Sequence, residues 1–198
     1  RRQGSRHRRL RLMRGSLDGA AVERSGVMKG LSLSTTAIML LVILPVSSVA
    51  ATYYVSADAE GDFPTIQAGV DAASDGDCIL LQAGTFGGDG NCNLDFLGKA
   101  IVVRSESGTA SDCIVDCSLG SEPRVRGFVF ESGEGPDAVL AGVTIRNGGW
   151  SGDGLLCYGG GILCCASPTI TGCIIEQCSV SGRGGGIACV GDDCAARI

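Results

Sequence analysis

Gly159-Gly160-Gly161-Ile162-Leu163-Cys164 is followed, 25 residues further on, by Gly184-Gly185-Gly186-Ile187-Ala188-Cys189, the same hexad with one substitution. A second unit recurs beside it: Gly142-Val143-Thr144-Ile145-Arg146-Asn147 is answered by Gly172-Cys173-Ile174-Ile175-Glu176-Gln177. Two different β-type segments, repeated in the same order at a period of about 25 to 30 residues, mark a chain of stacked coils. Each copy carries an apolar face that it cannot bury alone, so it must stack on its neighbours. The expected fold class is all-β, a parallel solenoid.

Composition agrees. The 198 residues include 32 Gly and 5 Pro with 44% hydrophobic residues, which argues against both collagen and disorder. Aromatics make up only 5%, so the expected core is Ile, Val, Leu, Cys and Ala. From Thr52 onward there are seven basic residues against nineteen acidic ones, a formal balance of −12. So acidic a domain has no footprint for phosphate backbones, and nucleic acid is not expected as a partner. The single histidine, His7, lies in the basic N-terminal stretch, so the repeats hold neither a Ser-His-Asp nor a Cys-His mechanism nor a His-ligated zinc site.

Met28-Lys29, the apolar run Ala37 to Leu44, Pro45 and the small residues Val46 to Ala51 have the three regions of a secretory signal peptide in order. The run is shorter than the roughly 20 residues of a membrane span. Three segments are therefore expected: a basic leader (1–27), a signal peptide (28–51) cleaved after Ala50 or Ala51, and a solenoid domain (52–198). Export to the cell surface or medium follows, with no stable transmembrane anchor in this stretch. Nothing after Gly184 resembles a solenoid cap and no Met opens the chain, so it reads as part of a longer protein.

Pro64 to Ala73 carries Ile66, Val70 and Ala73 at helical spacing. Cys78 to Gln82 reads as the first strand and Ala83-Gly84-Thr85-Phe86 as its stop. Later strands are expected at Ala100–Arg104, Cys113–Asp116, Gly127–Phe130, Val139–Arg146, Gly161–Cys165, Thr169–Ile175 and Gly186–Val190, in about five rungs of about 25 residues.

Phe63-Pro64-Thr65-Ile66-Gln67, Asp71-Ala72-Ala73, Gly76-Asp77 and Gly84-Thr85-Phe86 resemble the N-terminal entry of the pectin-lyase-like superfamily, and the hexads are similar to repeats of bacterial surface β-helix proteins. The resemblance covers residues 53–198. It implies a secreted, right-handed parallel β-helix whose short helix caps the open end. The superfamily holds lyases, hydrolases, adhesins and structural proteins, so the resemblance fixes no activity.

All 11 cysteines lie between Cys78 and Cys194. Cys164 and Cys189 occupy one place in consecutive hexads, about 4.8 Å apart if the rungs stack in register, and serve either as a cross-rung disulfide or as small stacked hydrophobes. Looser pairings are Cys113 with Cys117, Cys173 with Cys178 and Cys78 with Cys92. No Cys-x-x-Cys pair points to zinc.

Enzymes of this fold set several acids beside an Arg or Lys (calcium-dependent uronate lyases) or across a cleft (galacturonan hydrolases). Their candidates here are Arg146, Asp153, Glu176 and Arg183, with Asp192 and Asp193 as metal ligands; calcium is implied only on the lyase reading. The motifs of neither enzyme class are present. Arg146 and Glu176 match in the repeat, as an ion pair or as a solvated cross-rung pair worth about 0.2–1 kcal/mol. Asn147 and Gln177 match as a polar corner. Trp150 and Tyr158 flank a Gly loop, either to stack a sugar or to cover a corner. The expected function is a non-catalytic surface protein in adhesion or glycan contact, the alternative a lyase or hydrolase of acidic polysaccharide, and the third a structural spacer. Three carboxylates converging near an Arg favour an enzyme; a flat polar face with scattered acids favours binding.

Overall fold

The structure, a computed structural model, describes residues 49–120, 125–150, 158–192 and 194–198. The leader and all but the end of the expected signal peptide lie outside the described residues. The chain enters through β1 (Thr52–Val55) and helix α1 (Ile66–Ala72). It then makes four passes. The first is β2 (Cys78–Leu81), β3 (Gly84–Phe86) and β4 (Leu94–Asp95); the second is β5 (Val102–Ser105), β6 (Cys113–Asp116) and β7 (Phe128–Phe130). The third is β8 (Val139–Ala141), β9 (Thr144–Arg146), β10 (Gly149–Trp150) and β11 (Ile162–Cys164); the fourth is β12 (Thr169–Thr171), β13 (Ile174–Glu176), β14 (Ser179–Val180) and β15 (Ile187–Cys189). Each pass visits the same three sheets in turn: β1-β2-β5-β8-β12, β3-β6-β9-β13 and β4-β7-β11-β15, with β10 and β14 as a small fourth. Every pairing is parallel. The fold is all-β, in parallel sheets with little helix.

Register decides what meets inside. Leu94, Phe128, Ile162 and Ile187 are successive partners, as are Phe130, Cys164 and Cys189. Phe86, Val115, Ile145 and Ile175 form the same kind of column in the second sheet, and Ile79, Val103, Leu140 and Ile170 in the first. Side chains alternate along a strand, so an in-register ladder buries a column through the first three passes; on the last, Ile175 and Ile187 are part-buried and Cys189 is exposed. The core holds more aromatic surface than composition suggested: Phe86, Phe96, Phe128 and Phe130, four of the five Phe, are fully buried. Phe96 meets Phe130 edge-on at 5.0 Å between centroids, and Phe128 stacks on Phe130 at 6.3 Å. Such pairs add about 0.5–1.5 kcal/mol beyond area burial.

The strand pattern differs from expectation at the corners. Val139–Arg146 and Thr169–Ile175 are each two strands, bent at Gly142 and Gly172, which share a φ of 61° that only Gly adopts at little cost. Periodicity cannot show that bend because apolar residues continue through it. Gly84 to Phe86, read as a stop, is β3, pairing with β6. Stacked partners lie from 24 residues apart (Cys78 and Val102) to 37 (Val102 and Val139), so the passes are less equal than a period of about 25 allows.

At the hexads successive passes approach closely. Gly160 N donates to Gly184 O at 3.2 Å, Gly161 N to Gly186 O at 2.9 Å and Ile162 N to Gly186 O at 2.9 Å. A Cβ on Gly160 would sit 2.4 Å from Gly185 O and 2.9 Å from Ser179 N, both backbone atoms. Close backbone approach is the role of these glycines.

Helix α1 buries Ile66 and Val70, with Ala73 beyond its end, as the spacing predicted, and Thr65 caps it by accepting from Ala68 N. Its Gln67 treats β4 as a strand would: Nε2 donates to Asp95 O and Oε1 accepts from Asp95 N, each at 3.0 Å. Lys99 Nζ donates to the carbonyls of Val70 and Asp71 at the far end of the helix.

Gly160→Ala is expected to destabilise the protein by about 1–3 kcal/mol, because backbone must shift to admit the methyl group. Gly135→Ala, with nothing within 4 Å of the new carbon, should stay within about 0.5 kcal/mol. Urea unfolding checks both, and equal midpoints would refute the close-approach account.

Candidate functional site

Arg146 and Glu176 are register partners on β9 and β13, as the repeat alignment required. The ion pair that Arg146 forms, however, is with Asp116 on the preceding pass: Arg146 Nε donates to Asp116 Oδ2 at 2.8 Å. Asn147 Nδ2 donates to Asp116 Oδ1 at 2.8 Å, and Ser118 donates to that oxygen from both its N and its Oγ. Asn147 and Gln177 form the expected corner, both with positive φ (59° and 53°). Burial pushes the Asp116 carboxyl up, but the donors from Asn147, Ser118 and Arg146 outweigh it and hold it down at about 2. So well satisfied a carboxylate is a structural anchor.

The other candidates scatter. Arg183 is exposed and forms a parallel bridge with Tyr158, and Asp192 is exposed after β15. Asp153 and Asp193 lie outside the described residues. Among the described residues no group of three or more His, Cys, Asp or Glu could hold a metal ion, and no helix is long and apolar enough to cross a membrane.

A different set converges on the outer face of the β4-β7-β11-β15 sheet. Asn93, Asp95, Arg126, Val129 and Glu131 line an open cleft of about 300 Å³. Alternation explains it: Leu94, Phe96, Phe128 and Phe130 point inward, which turns Asp95, Val129 and Glu131 outward. Asp95 and Val129 are register partners. Arg126 is fixed at the cleft wall, its Nε donating to Tyr158 O at 3.0 Å and Gly159 O at 2.9 Å while its backbone N donates to Asn93 Oδ1 at 2.8 Å. Asp95 is held by Gln67 through its backbone, by Leu97 N on Oδ1 (2.8 Å) and by Ser132 Oγ on Oδ2 (2.9 Å). Glu131 is exposed at the rim.

No family model, curated protein or solved structure matches this chain. The cleft is therefore read from its own chemistry. It offers one fixed cation, an amide and two carboxylates. Asp95 already accepts on both oxygens, which suits it to hold the shape of the cleft. Glu131 is the carboxylate presented to solvent. The set can hydrogen-bond a hydroxyl-rich chain lying along the sheet.

Sequence reasoning missed these residues. Asp95 stands on a two-residue strand, and Arg126 is tied to Tyr158 across 32 residues, longer than the expected period of about 25 to 30. The signal available was the Phe128-Val129-Phe130 alternation, which forces Glu131 outward.

Cys164 and Cys189 are register partners, and Cys194 Sγ lies 3.4 Å from Cys164 O. The ten described cysteines stand as thiols, and burial pushes the Cys164 thiol up. Cys113 turns its thiol to Leu81 O and Gln82 O rather than to Cys117.

Because the folded pKa of Asp116 is depressed, its stabilisation is complete above about pH 4 and lost as pH falls through about 2. Asp116→Asn should cost about 2 kcal/mol at pH 7 and flatten that acid limb, measured as urea midpoint against pH. An unchanged limb would refute the role of the Arg146–Asp116–Asn147 corner.

Proposed function

We propose that this chain is an exported, right-handed parallel β-helix protein of the pectin-lyase-like type, acting without catalysis at the cell surface or in the medium, and that its cleft over Asn93, Asp95, Arg126, Val129 and Glu131 contacts a neutral polysaccharide. The repeated visit to three parallel sheets supports the β-helix, and the near-universal handedness of parallel crossovers supports its hand. Gln67, satisfying the free edge of β4, supports a capping role for α1. β1 begins at Thr52, directly after the expected cleavage site, which supports the signal-peptide reading.

The observation that carries the glycan assignment is the cleft itself. It is open, and it sets the donors and acceptors of Asn93, Asp95, Arg126 and Glu131 beside the apolar Val129, a mixed lining suited to a sugar's hydroxyls and its C–H face. Its two carboxylates, on a body with a formal balance of −12, disfavour an acidic chain. A second reading, a lyase or hydrolase, rests on Arg126 sharing the cleft with two carboxylates, Asp95 and Glu131.

Immobilised neutral and acidic polysaccharides, each with and without calcium, separate the two. The expected result is retention on a neutral glycan, unaffected by chelator and without unsaturated or reducing-end products. Glu131→Ala should weaken retention about tenfold or more at an unchanged unfolding midpoint, as loss of a charged hydrogen bond implies. Calcium-dependent product from an acidic polysaccharide would overturn the non-catalytic reading. N-terminal sequencing of the exported protein should begin at Ala51 or Thr52, and a retained apolar run would overturn the signal peptide.

A further inference from the structure

Cys92 lies between β3 and β4 at a corner of the first pass, and Cys117 follows β6 at the matching corner of the second. Cys92 Sγ is 3.8 Å from the carbonyl oxygen of Asp116, the residue bonded to Cys117, which brings the two thiols side by side. Phe86 on β3 and Val115 on β6 are register partners, so the two corners that follow them lie on adjacent passes. Other cysteines turn elsewhere: Cys173 to Thr171 O at 3.5 Å and Cys178 to Glu176 O at 3.3 Å. In the Cys164, Cys189 and Cys194 cluster, Cys189 has two competing sulfur neighbours, so no single pairing is favoured there.

We propose that Cys92 and Cys117 form a disulfide that fastens the first pass to the second. The pairing needs an oxidant of the low-molecular-weight disulfide class, such as oxidised glutathione. Cys92 is half-buried and reachable, and the Cys117 thiol donating to it lowers its pKa, so it ionises first; Cys117 is buried and pushed up by that same contact and by desolvation. The Cys92 thiolate attacks one glutathione sulfur and expels the first glutathione thiolate. Cys117 then gives its proton to water and displaces the second glutathione thiolate from the Cys92 sulfur. One protein S–S bond forms and one glutathione S–S bond breaks; two cysteines are oxidised and glutathione leaves as two thiols.

The test uses the full chain in oxidised glutathione under native conditions, so it holds whether or not the protein is exported. Remaining thiols are alkylated, and the unreduced chain is digested with a protease that cleaves before Asp. Cys92 then falls in 89–94 and Cys117 in 116–136, while Cys78 and Cys113 fall in 77–88 and 112–115. The expected product is 89–94 joined to 116–136, lost on reduction. Alkylated Cys92 and Cys117, or 89–94 joined to any other peptide, would overturn the pairing. Cys92→Ser, at the more exposed position, gives a second readout: it should lower the Tm of the oxidised protein by roughly 5–10 °C and leave that of the reduced protein unchanged. An equal fall in both states would mean packing alone and would also overturn it.

Discussion

Everything in this molecule depends on each strand pairing, parallel and in register, with the strand one pass earlier. That constraint sets which side chains form the core, since an inward residue must meet an inward residue at every step. It explains why Leu94, Phe128, Ile162 and Ile187 can differ in size yet share one column, and why the glycine triplets recur. A slip of one residue in any ladder would turn Phe128 and Phe130 out to solvent and Val129 in. The hydrogen bonds give direction, while the Phe cluster and the aliphatic columns supply most of the favourable free energy.

The same constraint builds the exterior. When Phe128 and Phe130 go inward, Val129 and Glu131 must go outward, and Asp95 follows from its pairing with Val129. The cleft is thus a by-product of the core, tuned by tethers from distant parts of the chain: Gln67 holding Asp95, Tyr158 and Gly159 holding Arg126. The Asp116–Arg146–Asn147 corner is a similar tether with a structural purpose. Surface chemistry and core packing cannot be varied independently on these strands.

Much of the fold was legible because glycine triplets and β-branched runs are local requirements of close stacking. The hexads matched their ladder residue for residue, and the Ile66, Val70, Ala73 face was buried as read. What stayed hidden was conformational. Gly142 and Gly172 bend strands that periodicity treats as continuous, and β4 is too short to have a period. Arg146 and Glu176 stack in register as the repeat implied, while the ion pair of Arg146 lies the same offset of 30 residues backward, at Asp116. Most of the cleft stayed out of reach because Arg126 and Asp95 are held by contacts at unequal offsets, 28 residues to Gln67 and 32 to Tyr158, which a single period does not show.

The unequal spacing of stacked partners, 24 residues at one step and 37 at another, shows where the chain tolerates history. Ladders count strands, not the residues between them, so a corner can lengthen while every register stays fixed. Extra closure entropy for a longer corner grows only slowly with its length. Insertions and deletions between strands are therefore nearly neutral, and the corners become the place where descendants of such a sequence can gain new recognition loops while inheriting an unchanged body.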